Sequence, residues 1–155
     1  MNLYLAAKVI HVVSSTILFG TGLGIAFFKW IVDRSDNVTA IRVVSERVVL
    51  ADWLFTTPAI VVQAATGLFM ALEAGFPLTR GWIAYTLVLF IIAGACWIPV
   101  VWLQIRMRDL ARIAEKQSTP LSAEFHRHAR IWFRLGVPAF LSLIAIFYLM
   151  VAKPV

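Results

Sequence analysis

Four long apolar segments occupy most of this chain, at approximately Leu3 to Val32, Trp53 to Leu72, Trp82 to Ile105 and Leu135 to Val151. An α-helix rises 1.5 Å per residue, so about 20 residues cross the hydrocarbon of a bilayer. A backbone in lipid must satisfy its own polar groups, which leaves helices or closed barrels, and the segments are too long and too uniformly apolar for barrel strands. The expected fold is all-α, a four-helix transmembrane bundle forming a single integral membrane domain over residues 1–155. With 61% hydrophobic and 14% charged residues, nothing is left over for a soluble domain.

The net charge of +6 would suggest nucleic acid in a soluble protein. Here the basic residues lie in the connections, where they set topology, and no nucleic-acid partner is expected. The first and third connections hold Lys29, Arg34, Arg42, Arg47, Arg106, Arg108, Arg112, Lys116, Arg127, Arg130 and Arg134, against Lys8, Arg80 and Lys153 at the opposite face, eleven against three. That bias places the two connections in the cytoplasm and both termini outside. The arginines near His126 and His128 read as a patch for anionic lipid headgroups, and Glu124 with His128 only as a weak metal pair. No basic leader or small-residue cleavage site accompanies the first span, so a signal peptide is not expected. Cys96 is the single cysteine, which excludes a disulfide framework and a thiolate cluster.

The connections themselves are patterned. Val38, Ile41, Val44 and Val48 recur at helical spacing, so this stretch either lies along the headgroups or leads into the second span. The third connection continues the third helix past Arg106, breaks near Ser118 to Pro120, and restarts with Thr119 as N-cap and Pro120 at the first helical position. Long cytoplasmic helical extensions follow. Glu73 to Gly81 is a short outer turn. Aromatic belts agree, with Trp30, Trp53, Trp102 and Trp132 at one interface and Tyr4, Trp82, Tyr85 and Tyr148 at the other. In the first span Thr16, Gly20 and Gly24 align small residues into a packing seam, which either closes the monomer or joins a homodimer. Pro58 and Met70 stand apart by the same interval as Pro138 and Met150, a pattern of two similar hairpins.

His11 is the only histidine inside a span, and ionisable groups at that depth default to functional hypotheses. Equal rise along antiparallel helices brings Gln63, Thr66, Gly67 and Ser142 to its level, while Lys8, Ser14 and Ser15 share its side of the helix. The economical inference is an outward-facing polar pocket, with Lys8 neutralised by Glu73. Three readings of His11 stay open: a neutral imidazole satisfied by a hydroxyl or by Gln63, an axial ligand to haem iron, or a proton carrier. A six-coordinate haem would need a second donor, for which Met70 and Met150 are the soft candidates, and a five-coordinate one would not. The candidate cofactor-binding set is therefore His11, Lys8, Gln63, Thr66, Met70 and Met150. Asp52 reads as a cap or anchor of the second span. No phosphate loop, HExxH helix, GxSxG elbow or paired buried carboxylates are present, and whether the chain is an enzyme stays open.

The segments KVIHVV, DWLFTTPAIVVQAATGLF, WIPVVWLQIRMRDLA and FYLMVAKP together resemble a family of bacterial predicted integral membrane proteins of unknown function. In layout that family is similar to HemJ-type protoporphyrinogen oxidases and to the membrane domains of copper-resistance D proteins. The shared features are a lysine and histidine at the start, here Lys8 and His11, a threonine-glycine pair, Thr66 and Gly67, and a lysine-proline end, Lys153 and Pro154. The resemblance implies a multi-pass protein of the bacterial inner membrane, and haem b held by His11. HemJ-type proteins also carry a third-helix histidine, where this chain has Gly94, Ala95, Cys96 and Trp97, which counts against protoporphyrinogen oxidation. The expected function is binding of haem b or a related redox molecule around His11; the alternative is a non-enzymatic membrane subunit or small carrier with no cofactor.

Overall fold

The computed structural model describes residues 2–154. Among them there are no strands, and five α-helices build the chain: α1 (Leu3–Val32), α2 (Val38–Ala51), α3 (Thr57–Glu73), α4 (Gly81–Gln117) and α5 (Ala123–Ala152). A π-helical segment, Asp52–Thr56, fuses α2 and α3 into one 36-residue rod. The stretch after Val38 thus leads into the second span rather than lying flat. Four helices are long and apolar enough to cross a membrane, and large apolar side chains such as Val9, Leu54, Ile91, Ile98 and Ile144 are exposed, the surface that lipid solvates.

Proline explains the π segment. Pro58 has no N–H to give, and the helix widens just ahead of it, with the Thr57 N–H reaching back five residues to the Asp52 carbonyl. At the other end of α3 the chain turns through Gly75 at φ 69°, and the Phe76 N–H closes on the Ala71 carbonyl at 3.0 Å, a left-handed helix stop that glycine adopts without cost. The N-cap of α5 is Ser122, whose hydroxyl accepts from the Phe125 N–H at 3.2 Å. Thr119 and Pro120 precede the helix instead of opening it, because Leu121 is drawn against the core.

Within the spans α1 packs mainly on α3 and α4 on α5, and α1 touches α5 only briefly. The two pairs are tied together at the end rich in arginine, called here the basic end, where α2 packs on α4. Tyr4, Trp82 and Lys153 line one cavity at the opposite, terminal end. The tightest core lies toward the basic end, where Ile41, Met107, Ala111 and Phe125 are at most 1% exposed. Trp132 belongs to this core, so it is not an interfacial aromatic like Trp30, Trp53 and Trp102, which are exposed.

At the heart of that core stands Lys29, fully buried. Its ammonium donates to both carboxylate oxygens of Asp33 at 2.9 Å and to Ser45 Oγ at 3.4 Å, and lies 5.4 Å from the Phe125 ring and 5.9 Å from that of Trp132. Burial raises the Asp33 carboxyl above its ordinary range, and the Lys29 charge offsets part of that shift. Lys29 is therefore a buried pin joining α1, α2 and α5, not a loop charge that reports topology.

Candidate functional site

At the terminal end a cavity of about 480 Å³ opens between the two helix pairs, within the size range of small-molecule and cofactor sites. Lys8, His11, Gln63, Met70 and Met150 all line it. Thr66 does not, but it holds the imidazole from behind: His11 Nδ1 and Thr66 Oγ1 are 2.8 Å apart. The structure thus brings five of the six candidate residues to one cavity and fixes the sixth to His11.

The hydrogen-bond network assigns the tautomer of that imidazole. Thr66 Oγ1 donates its single proton to the Val62 carbonyl at 2.6 Å, one turn back on its own helix. It can only accept from His11, so Nδ1 carries the proton and donates. In the neutral ring the lone pair is then on Nε2, which is buried with no partner among the described residues. An unsatisfied acceptor of this kind is costly unless something is bound to it. Close packing holds the ring in place, since a Cβ added to Gly67 would come 3.1 Å from His11 Cε1, tighter than ordinary contact.

Gln63 does not reach the imidazole. Its Nε2 donates to the His11 backbone carbonyl at 2.5 Å and to Ser14 Oγ at 2.7 Å, while Ser14 donates to the same carbonyl at 3.1 Å. These bonds rivet α1 to α3 at the depth of the histidine. Ser142 stays outside the group, because its hydroxyl is spent on the Pro138 carbonyl one turn back on its own helix, at 2.8 Å.

The pairing of Lys8 with Glu73 does not form: no ion pair among the described residues joins them. Lys8 is exposed and lines the cavity together with Lys153, so two ammonium groups serve the same space. Lys153 Nζ lies 6.0 Å from the Trp82 ring. At the basic end Glu124 pairs with Arg106 at 2.9 Å, and His128 is buried edge-on to Trp102. No cluster of three or more metal-ligating residues occurs among the described residues.

A second cavity, of about 330 Å³, lies in the half of the bundle toward the basic end and is lined from all four spans. Asp52, Thr56 and Gln104 line it and are all buried. Asp52 is therefore no interfacial cap. The sequence signal was available, since Asp52 and Thr56 stand one helical turn apart, but Gln104 belongs to another helix and nothing in its neighbours marks it.

Fold and site together define a polytopic α-helical membrane protein with a polar histidine cavity between two helix pairs. The chain belongs to the predicted integral membrane protein family DUF2269, whose model matches residues 5–154. No curated protein and no solved structure matches the chain, and the likeness to HemJ-type enzymes rests on the quoted residues alone.

Proposed function

We propose that the terminal-end cavity binds haem b, or a related redox-active small molecule, with His11 as the axial ligand. The observation that carries this reading is the buried Nε2 of His11, a lone pair without a partner on a ring whose other nitrogen is fixed by Thr66. A ligating histidine characteristically donates its second ring nitrogen in this way, which sets the tautomer and raises basicity. Met70 and Met150 line the same cavity and would be the soft thioether donors available to a bound iron. Lys8 and Lys153 supply countercharge for the two propionates of a haem. Bound haem supplies one-electron redox chemistry, and the protein's part is to orient His11, exclude water with the apolar wall and neutralise the anionic edge.

The competing reading takes the same bonds as glue between helices in a non-enzymatic subunit or carrier, and it is favoured by the two contacts Gln63 makes to α1. Spectroscopy separates the two. Protein purified from haem-replete cells is expected to show a Soret band and a pyridine haemochrome, both abolished by H11A. A colourless preparation that also fails to take up added haemin overturns the haem reading.

The same proposal sets the chain in a bacterial inner membrane with the basic end in the cytoplasm, supported by the charge bias of the connections. Arg34, Arg47, Arg127, Arg130 and Arg134 are exposed there and have no carboxylate partner among the described residues, a composition suited to anionic lipid headgroups. A periplasmic reporter fused after Val155 is expected to be active; activity of a cytoplasmic reporter there reverses the orientation.

A further inference from the structure

The cavity toward the basic end holds one acid and no base to match it. Asp52 is 5% exposed, Thr56 4% and Gln104 3%. The carboxylate lies within reach of the Thr56 hydroxyl and the Gln104 amide, both of which can donate to it, but Asp52 Oδ2 and Gln104 Oε1 are buried with no well-aligned hydrogen-bond partner among the described residues, and so are the indole N–H groups of Trp97 and Trp132 on the same wall. The nearby ammonium of Lys29, 5.9 Å from the centre of the Trp132 ring, is taken by Asp33. Unpartnered buried polar groups at this density are unusual in a folded protein and call for an occupant, one able to donate to the Asp52 carboxylate.

The rest of the wall says what that occupant is. Phe90, Trp97, Trp132 and Phe140 line the cavity, and aromatic faces attract organic cations. Gly22, Gly94 and Gly136 contribute from three different helices, and a Cβ added at any of them would meet nothing within 4 Å. These glycines are not there to let helices touch; they leave room. The π segment places Asp52 on this wall, and such bulges recur at functional sites.

We propose that this cavity is a binding site for an organic cation, a protonated amine on an apolar ring body, with Asp52 accepting from the ammonium and the aromatic rings enclosing the ring body. The site is separate from the histidine cavity. Leu18, Phe90 and Leu143 line both cavities, and form the apolar partition between them.

The test uses the full-length protein in lipid nanodiscs, with tritiated 1-adamantylamine as probe and the neutral 1-adamantanol as its match, each corrected by empty nanodiscs. The amine is expected to bind saturably and at least about tenfold more tightly than the alcohol, and D52N should erase that difference by weakening the amine alone. G94L or G136L should exclude both probes by filling the space, while G94A, which meets no neighbour, should leave binding unchanged and controls for folding. Equal binding of amine and alcohol, binding indifferent to D52N, or no saturable binding overturns the proposal. The Soret band ascribed to His11 should be the same in D52N, so this site and the haem reading fail independently.

Discussion

The two ends of this bundle are packed by different rules. Toward the basic end, α2, α4 and α5 close on Met107, Ala111 and Phe125 with no exposed surface, and even a lysine is enclosed with its carboxylate. Through the spans the helices pair off, α1 with α3 and α4 with α5, and leave cavities of about 330 and 480 Å³ between the pairs. Lipid explains the contrast. Where water surrounds a helix, leaving apolar surface uncovered costs about 25 cal/mol per Å² and drives closure. Between helices in hydrocarbon that drive is absent, so voids persist wherever small or polar side chains keep the walls apart. The end that clamps and the part that holds ligands are thus different regions of the same helices.

The largest expected effect breaks the clamp. D33A leaves the Lys29 ammonium buried and uncompensated, which costs about 3–5 kcal/mol, and K29M/D33L should restore most of it, because a buried pair is often replaceable by packed apolar groups. Thermal unfolding in detergent measures both. Stability of D33A equal to the parent would mean that Lys29 reaches solvent, and the contrast between the ends would lose its centre.

Packing itself gives the next effect. F125A removes a fully buried ring and should cost about 3–5 kcal/mol, whereas L143A, a half-buried side chain on a cavity wall, should cost less, about 2 kcal/mol. Equal losses in chemical denaturation would show that the two halves are packed alike.

A smaller effect on stability and a larger one on ligand tests the histidine wall. T66V removes the acceptor for His11 Nδ1 and G67A crowds the ring. Each should weaken haemin binding roughly 10- to 100-fold in a Soret titration while costing about 1 kcal/mol of stability. If T66V binds haemin as tightly as the parent, Thr66 serves only to join helices.

These positions also mark what can be read from a sequence like this. The spans, the depth of His11 and its alignment with Gln63 and Thr66 follow from a fixed rise per residue, and the helix pairing keeps that alignment. Lys29 was misleading because a lysine near a span end looks like a topology signal; its burial depends on α2 and α5 folding over it from residues far along the chain. The spacing of Lys29 and Asp33, one turn apart, was the local clue. Asp52 escaped for a similar reason, since a π segment rotates it inward and Gln104 meets it from another helix. Charged residues near the ends of the spans obey tertiary packing, which periodicity does not encode.

The smallest effect concerns the glycines of α1. Thr16, Gly20 and Gly24 share a helix face, the pattern of a packing seam, yet a Cβ at Gly20 or Gly24 would meet nothing within 4 Å, and Thr16 bonds only its own helix, at the Val12 carbonyl. The seam does not close the monomer. G20A and G24A should therefore leave the isolated chain unharmed, or stabilise it by about 0.5–1 kcal/mol through lower backbone entropy in the unfolded state. A second copy seated on this face would reverse the sign, because close approach of two backbones is the reason small residues repeat every four positions. Size in nanodiscs and single-cysteine cross-linking at Ile17 distinguish the outcomes. Unchanged size and no cross-link confine the contrast between tight and open packing to one chain; a dimer lost in G24A would mean that the open half is completed by a partner.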